Sequence, residues 1–244
     1  MDKVQYIAEV LLRLRESESS KNVFQKPLIY CPGLTDKPWH NTENLDWIME
    51  IESKSDLIGK ELKGLNDNFN LFKEYREPGN KNESYRVLHD EGTWNVYYFY
   101  FEHKRFDKNC DLCPETAQLL DNLPFRTGLA CFSTLSPGTH IPKHNGYFNF
   151  ILRAHLGLDL PENDCKLRVG TESRNWEKGK CFIFDDTFDH EVWNNSNLPR
   201  TVLMIDFYHP DLTKEEVVGL RRLWREPQAQ KQIQSWIKVI NDTK

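Results

Sequence analysis

The stretch "SPGTHIPKHNGYFNFILRAHLGL", residues 136–158, holds three of the chain's eight histidines and places an arginine two positions before the last of them. Successive side chains of a β-strand point to opposite faces, so Arg153 and His155 share one face if this segment is extended. His144 comes just before that strand, in a segment that a proline and a glycine mark as a loop. Pointing into a barrel, such a strand would carry a guanidinium and an imidazole into the cavity.

Strand-like segments follow one another closely in the second half of the chain, with turn residues between them. The segment "TWNVYYFYFEHK" (93–104) is rich in aromatic and β-branched residues, as a buried strand should be. Further strands are predicted at 128–136, 147–160, 166–170, 180–185, 188–195 and 200–209. Many short strands at regular spacing are typical of a sandwich or barrel, so we expect a mainly β fold of jelly-roll type.

Helices are expected around this β core. The first is predicted at the N-terminus, as an amphipathic helix that docks on the core through Ile7, Val10, Leu11 and Leu14. A second should start near Asn44 and run through Asp46–Ile51, since Asn and Asp precede an apolar-periodic stretch. A short helix is predicted over 114–123, where Pro114 suits a first turn. The final stretch, 213–240, returns to helical periodicity.

The length of 244 residues suffices for one sizeable core, and all-β barrels of this length are commonly a single domain. We therefore expect one domain over residues 1–244. Its parts would be a helical and loop-rich segment over 1–92, the β core over 93–212 and a C-terminal helix over 213–244.

Charge and hydropathy exclude several classes of partner. The formal net charge of −5 opposes a phosphate-neutralising surface, so we expect no nucleic-acid partner. No apolar run approaches the ~18 residues that span a bilayer, and the N-terminus lacks the features of a signal peptide. These observations predict no membrane span and a cytoplasmic location.

The six cysteines are accordingly expected to be reduced thiols. Cys110 and Cys113 form a CxxC pair, but a zinc site would need two more ligands and no second pair is present. A redox couple stays open as an alternative to two free thiols.

A second histidine and a second arginine follow the opening stretch. His190 comes 46 residues after His144, near the start of a predicted strand, and Arg200 begins the next one. Two histidines distant in sequence and an arginine on a neighbouring strand suit a mononuclear metal site in a small barrel. The planar guanidinium would hold a carboxylate with two hydrogen bonds.

Structural roles compete with this interpretation, because an isolated histidine in a strand is usually a satisfied core or surface residue. His140 and His209 lie beside or near prolines and are expected to be structural. Asp185, Asp186 and Asp189 are most simply turn formers, although one of them stays open as a third metal ligand.

The segments "FSTLSPGTHIPKHNG", "LRAHLGLDLP", "ESRNWEKGKCFIFDDTFDHEVWNNS" and "RTVLMIDFYHPDL" resemble the aspartyl/asparaginyl β-hydroxylase family of Fe(II)- and 2-oxoglutarate-dependent dioxygenases. The resemblance runs continuously over residues 124–212 and is weaker over 27–41. It implies a double-stranded β-helix, the fold of jelly-roll and cupin-like barrels, and a reaction in which Fe(II), 2-oxoglutarate and O₂ hydroxylate a C–H bond.

The resemblance also implies roles for individual residues. His144 and His190 would bind iron. Ser133, His155 and Arg200 would hold 2-oxoglutarate, with Arg200 pairing its distal carboxylate. Arg153 would face the substrate and engage an acidic group. The expected substrate is therefore a carboxylate-bearing small molecule or peptide, such as an aspartyl or asparaginyl residue, a free amino acid or a small metabolite.

One position departs from the usual ligand set of such enzymes, which is two histidines and one carboxylate. Two residues after His144 stands Gly146, which has no side chain to offer. The family tolerates this loss, with water expected in the third position. Radical halogenases share such an open third coordination position, called the third corner below, so halogenation is one alternative. A non-catalytic binding member of the family and a cupin-like sugar-binding or isomerase barrel with another metal are the others.

Overall fold

Antiparallel strands form the centre of the protein, and helices cover them. The computed structural model describes residues 2–43, 45–66, 71–75, 92–101, 104–123, 125–162 and 164–242. The helices are α1 (Lys3–Leu11), α2 (Asp46–Ser53), α3 (Ser55–Asn66), α4 (Asp107–Leu112), α5 (Pro114–Asn122), α6 (Lys214–Leu223) and α7 (Pro227–Asp242). The strands are β1 (Trp39–His40), β2 (Lys73–Glu74), β3 (Trp94–Phe101), β4 (Lys104–Arg105), β5 (Arg126–Leu135), β6 (Thr139–His144), β7 (Ile151–Asp159), β8 (Cys165–Val169), β9 (Glu172–Arg174), β10 (Cys181–Phe184), β11 (His190–Asn194) and β12 (Arg200–Tyr208).

The strands are divided between two sheets. The large sheet has the order β1-β10-β7-β12-β5-β3-β2, with β4 paired to β3, and the small sheet has the order β6-β11-β8-β9. From β5 to β12 the chain passes repeatedly from one sheet to the other, and its pairings are antiparallel. This is the topology of a double-stranded β-helix, which confirms the predicted mainly β fold.

Both faces of the large sheet are buried. Phe132 and Leu203 are register partners on β5 and β12, and they pack outward against helices α3 and α5. Their neighbours Cys131 and Met204 face inward and pack against the small sheet, for example against Leu167. A strand covered on two faces needs apolar residues at consecutive positions, which explains the nearly continuous apolar runs of these two strands.

The two ends of the chain meet on one side of the β core. Ile7 and Leu11 of α1 are fully buried with Leu220 and Trp224 from the α6 segment. Helix α6 starts with a capping box between Thr213 and Glu216, the pattern that satisfies free backbone N–H groups at a helix start. The predicted docking helix is thus present. Leu14, however, is 74% exposed, because α1 ends at Leu11 and Arg13 adopts a positive φ of 58°.

Several other expectations need correction. The C-terminal segment contains two helices instead of one, since Pro227 starts a new helix after α6 ends at Leu223. His144 ends strand β6 and does not lie in a loop; Pro142 is tolerated there because β6 is an edge strand. The sheet also extends beyond the predicted core through β1 and β2. Helix α2 is present, but its expected start at Asn44 lies outside the described residues.

None of the helices within the described residues has the length and apolar character needed to cross a membrane. The six cysteines all lie in this part of the chain and form no disulfide. Burial raises the pKa of the Cys110 thiol and raises that of Cys113 to about 12. Thiols of this kind stay protonated at neutral pH, which argues against a redox role for the CxxC pair.

The contrast between Leu11 and Leu14 predicts the stability of two matched variants. Leu11→Ala should lower the free energy of unfolding by about 2–5 kcal/mol, because it opens a cavity in a fully buried cluster. Leu14→Ala should change it by less than about 0.5 kcal/mol, as expected for an exposed side chain. Urea unfolding followed by circular dichroism measures both. Equal losses in the two variants would contradict the docking of α1 described here.

Candidate active site

The two histidines predicted to bind metal lie side by side in the small sheet. His144 ends β6 and His190 begins β11, and their Cα atoms are register partners. Their ring centroids are 4.0 Å apart. Neighbouring positions on paired strands therefore account for the closeness of two residues that are far apart in sequence.

Backbone carbonyls set the orientation of both rings. The Nδ1 atom of His144 lies 2.8 Å from the carbonyl oxygen of Pro142, and Nδ1 of His190 lies 3.0 Å from that of Phe188. A carbonyl oxygen only accepts, so each Nδ1 carries the hydrogen and donates it. Burial lowers the pKa of His190 to about 4, although carbonyl contacts oppose this shift, so the ring is neutral at pH 7. Its lone pair is then on Nε2, the form in which histidine binds a metal.

Arg200 is a buried cation at the start of β12. Its side chain is 2% exposed, and its guanidinium carbon lies 4.4 Å above the ring of Trp176. One terminal nitrogen donates to the carbonyl oxygen of Ser133 at 3.4 Å, whereas Nε has no hydrogen-bond partner. Burial lowers the pKa of Arg200 to about 10, which still leaves it charged at pH 7. A buried, incompletely paired guanidinium is costly unless an anion is bound to it.

His155 and Ser133 supply two more hydrogen-bond donors in the same interior. The indole of Trp176 donates to Nδ1 of His155 at 3.3 Å, so the hydrogen of the neutral ring is on Nε2, which has no partner. Burial and the positive charges of Arg200 and Arg153 hold the pKa of His155 well below its usual value. The hydroxyl of Ser133 accepts from the indole of Trp94 at 3.0 Å, which leaves its own hydrogen for an acceptor. These groups suit a bound carboxylate.

Aromatic contacts connect the anion-binding residues with the histidine pair. The ring of Phe184 lies 5.1 Å from that of His155 and 5.8 Å from that of His190. All the predicted metal-binding and 2-oxoglutarate-binding residues are thus gathered in the space between the sheets.

The third corner, next to Gly146, borders the carboxylate of Asp186, which belongs to another segment of the chain. The backbone N–H of Gly146 donates to the carbonyl oxygen of Asp186 at 2.6 Å. A Cβ atom added at residue 146 would overlap the carboxylate of Asp186. The third corner therefore has no side chain of its own but borders an acidic one. Within the described residues, no group of three His, Cys, Asp or Glu side chains is arranged to hold a metal ion.

Arg153 is held between two acidic side chains. Its Nε and one terminal nitrogen donate to Asp206 at 2.7 and 2.9 Å, and the same terminal nitrogen lies 3.3 Å from Asp186. Burial lowers the pKa of Arg153, but the two carboxylates outweigh it and raise the pKa well above its ordinary value. The predicted substrate-facing arginine is thus already neutralised by two carboxylates of the protein.

The other residues considered from the sequence have structural contacts. His140 faces outward from β6, pairs with Glu191 at 2.7 Å and stacks on Trp193. His209 is buried, and its Nε2 donates to the carbonyl oxygen of Thr35 at 3.2 Å. Two of the three candidate aspartates also have structural partners.

Asp185 accepts hydrogen bonds from Thr187 and Gln25, and burial raises its pKa to about 8. Asp189 pairs with Arg168 at 2.8 Å and with Lys143 at 3.0 Å. Of the three aspartates, Asp186 is the one that lies beside the third corner.

Two residues of the site were not predicted from the sequence. Asp206 lies on the same face of β12 as Arg200, and an acidic residue inside an apolar strand needs a buried partner. That signal was present, but only the pairing of β12 with β7 shows that the partner is Arg153. Trp176 lies in a polar loop. The presence of a large aromatic residue among polar ones was the only sign in the sequence that it packs against the site.

Comparisons with known proteins identify relatives of this chain. A sequence profile described as aspartyl/asparaginyl beta-hydroxylase matches residues 52–210. The human aspartyl/asparaginyl beta-hydroxylase is 33% identical over 203 residues, which cover 80% of this chain and 26% of the human protein. The ornithine lipid ester-linked acyl 2-hydroxylase of Rhizobium tropici is 33% identical over 181 residues, 72% of this chain and 62% of that protein. The chain spans about a quarter of the human relative's length.

Among solved structures, a prolyl hydroxylase from Trichoplax adhaerens, in complex with a hypoxia inducible factor peptide, has a TM-score of 0.44. It is 11% identical and covers 72% of this chain and 97% of its own. The fold assignment depends on the strand order described above. The family assignment depends on the profile match, which includes the strands that carry His144, His155 and His190. The chain belongs to the aspartyl/asparaginyl β-hydroxylase family.

Proposed function

We propose that this hydroxylase depends on Fe(II) and 2-oxoglutarate and acts on an unactivated C–H bond of a carboxylate-bearing substrate. The observation that carries the proposal is a pair of buried nitrogens without partners, Arg200 Nε and His155 Nε2, in the interior that also contains the histidine pair. Buried polar atoms are nearly always hydrogen-bonded, so two unpaired donors indicate an absent acceptor-bearing ligand. When bound, iron would activate O₂, and 2-oxoglutarate would supply two of the four electrons that reduce it, the C–H bond of the substrate supplying the other two.

His144 and His190 would hold the metal through Nε2. Their backbone hydrogen bonds fix the rings before a metal arrives, so little side-chain freedom is lost on binding. The neutral state of His190 removes the competition with a proton at pH 7. Two neutral ligands contribute no negative charge, which would make the metal centre more positive and its retention weaker than with a bound carboxylate.

Arg200, Ser133 and His155 would hold the cosubstrate. Arg200 would pair with the distal carboxylate, in a position where Trp176 covers the guanidinium and keeps water away. The hydroxyl of Ser133 and the Nε2–H of His155 would donate to carboxylate oxygens. Because hydrogen bonds to a charged partner contribute about 1.5–3 kcal/mol each, losing one should weaken 2-oxoglutarate binding about 10- to 100-fold.

Asp186 favours hydroxylation over halogenation. Its carboxylate borders the corner that Gly146 leaves open, where a halogenase would need to bind a halide anion. A negative side chain at this corner repels a halide, but accepts hydrogen bonds from a neutral water. It would also supply part of the negative charge that the two-histidine ligand set lacks.

The substrate is expected to be a small molecule or peptide with an acidic group. The names of the relatives point to aspartyl and asparaginyl groups in one case and to an acyl chain in the other. For this chain, the cationic side chains near the interior support a substrate with an acidic group. The charge of Arg153, however, is already neutralised by Asp186 and Asp206. We further propose a cytoplasmic location, in line with the cysteine usage.

The iron and 2-oxoglutarate sites can be tested without knowing the substrate. Anaerobic addition of Fe(II) and 2-oxoglutarate to the protein should produce a weak visible charge-transfer band. His190→Ala should abolish the band, because one of two protein ligands is lost. Arg200→Ala should require about 10- to 100-fold more 2-oxoglutarate for the same absorbance, since a charged hydrogen-bond partner is lost.

A matched control is His140→Gln, which removes a histidine from the outer face of the same sheet and should leave the band unchanged. No band in the parent protein under saturating iron and 2-oxoglutarate would refute the proposal. That result would favour a binding protein or a barrel with another metal.

The contact between Gly146 and Asp186 predicts the effect of restoring a ligand. Gly146→Asp should weaken Fe(II) binding at least tenfold, because the new side chain overlaps Asp186 and adds a like charge. The double variant Gly146→Asp with Asp186→Gly should recover most of the loss, since it removes both the overlap and the repulsion. Anaerobic titration of Fe(II), followed by the same band, measures the two affinities. Tighter iron binding in Gly146→Asp alone would show that Asp186 does not control this corner.

A further inference from the structure

A cavity of about 360 Å³ lies between the edges of the two sheets, apart from the histidine pair. Strand β1 ends the large sheet and β9 ends the small sheet. Residues of β1 and its flanks line the cavity together with Arg174 from β9 and Phe182 from β10. Its volume falls within the range of small-ligand sites, which is about 300–1,000 Å³.

The lining of this edge cavity is positively charged. Lys37 and Arg174 contribute cations, and no acidic side chain belongs to the lining among the described residues. Acidic side chains contact the lining residues from outside: Glu172 pairs with Arg174 at 2.7 Å, Glu43 accepts from the Asn41 amide at 3.0 Å, and Glu52 accepts from the backbone N–H of Cys181 at 2.8 Å. The Glu172 and Glu43 pairs are exposed, and Glu52 also pairs with Lys180 at 3.0 Å, so these carboxylates compete weakly with a ligand that enters the cavity.

Two ring nitrogens of the lining residues lack hydrogen-bond partners although they are buried. They are Nε1 of Trp39, a residue that is 7% exposed, and Nε2 of His40. An indole N–H can only donate, so Trp39 requires an acceptor to offset its burial. The guanidinium carbon of Arg174 lies 4.4 Å from the centroid of the Trp39 ring, so a cation lies close to the residue that carries the unpaired donor.

A single aromatic layer separates the edge cavity from the proposed cosubstrate site. The ring of Phe182 contacts Trp39 with centroids 5.3 Å apart and His155 with centroids 5.7 Å apart. Phe182 and His155 are also register partners on β10 and β7. A ligand in this cavity would therefore lie one aromatic ring away from His155 of the proposed cosubstrate site.

We propose that the edge cavity binds a carboxylate group, through the cations of Lys37 and Arg174 and the indole N–H of Trp39. Arg153 is already paired with two largely buried carboxylates, whereas Arg174 has an exposed partner, Glu172, and Trp39 Nε1 has no partner. The claim that this cavity recognises the acidic part of a substrate rests on the proposed function. The claim that it binds a carboxylate can be tested separately from the proposed iron and 2-oxoglutarate chemistry.

The test is a titration followed by NMR of the indole N–H signals. The full chain is used with 2-oxoglutarate and with Zn(II) in place of Fe(II), which keeps the spectra diamagnetic. The Trp39 signal is assigned by its loss in Trp39→Phe. The probes are L-aspartate, the acetylated and amidated tripeptide Gly-Asp-Gly, and its neutral counterpart Gly-Asn-Gly.

The acidic probes should shift the Trp39 signal in a saturable way, and the neutral peptide should not. The double variant Lys37→Ala with Arg174→Ala should weaken this binding at least tenfold. The matched control, Lys166→Ala with Lys178→Ala, loses the same charge from exposed positions outside the cavity and should change affinity less than twofold. Tighter binding of the acidic peptide than of aspartate would indicate that the cavity binds an acidic side chain of a peptide. Tighter binding of aspartate would indicate that it binds a free amino acid.

Two results would overturn the proposal. One is the absence of a saturable shift of Trp39 with either acid at millimolar concentration, and the other is unchanged affinity in the cavity double variant. The visible band with Fe(II) and 2-oxoglutarate should persist in that double variant. If the parent protein lacks the band while the Trp39 shift is present, the proposed function fails and the carboxylate site stands.

Discussion

The buried charge of Arg200 is the constraint on which the arrangement of the site depends. A guanidinium that is 2% exposed loses most of its hydration, and one backbone contact at 3.4 Å does not replace it. Trp176 covers its face, and the same indole holds His155 in the tautomer that presents Nε2–H. The unpaired donors then share one interior, so a dicarboxylate would satisfy several of them at once. This arrangement supports the proposal that an anion binds here.

Opposite charges are balanced differently at the other end of the interior. Arg153 lies between Asp186 and Asp206, so that one cation faces two carboxylates close to the neutral histidine pair. A divalent metal would offset the excess negative charge at this end, as the cosubstrate would offset the positive charge near Arg200. The two ends thus favour ligands of opposite charge, which is the combination that the proposed iron and 2-oxoglutarate enzyme would bind.

The fold keeps these groups in place by burying the large sheet on both faces. Its outer face packs against α3 and α5, and its inner face packs against the small sheet. The central strands β5, β7 and β12 therefore cannot shift without disturbing two cores, and they carry Ser133, His155 and Arg200. The edges are less constrained: β1 and β9 are short, and the charged cavity opens between them.

The sequence alone predicted the strand-rich second half and the shared face of Arg153 and His155, and its resemblance to the family singled out His144 and His190, whose role as metal ligands stays a proposal. Alternation and spacing along one segment, together with specific motifs, are sufficient for these. It did not show that His144 ends a strand, because Pro142 looks like a loop residue until β6 is known to be an edge.

The tertiary structure alone decided which distant residues meet. The pairing of β12 with β7 brings Asp206 to Arg153, and the packing of the loop before β11 brings Asp186 to Gly146. Likewise, the two sheet edges bring Arg174 to Trp39. Each of these contacts joins segments whose separation along the chain carries no information about their distance in space, since that distance is set by strand register and by the packing of one sheet on the other.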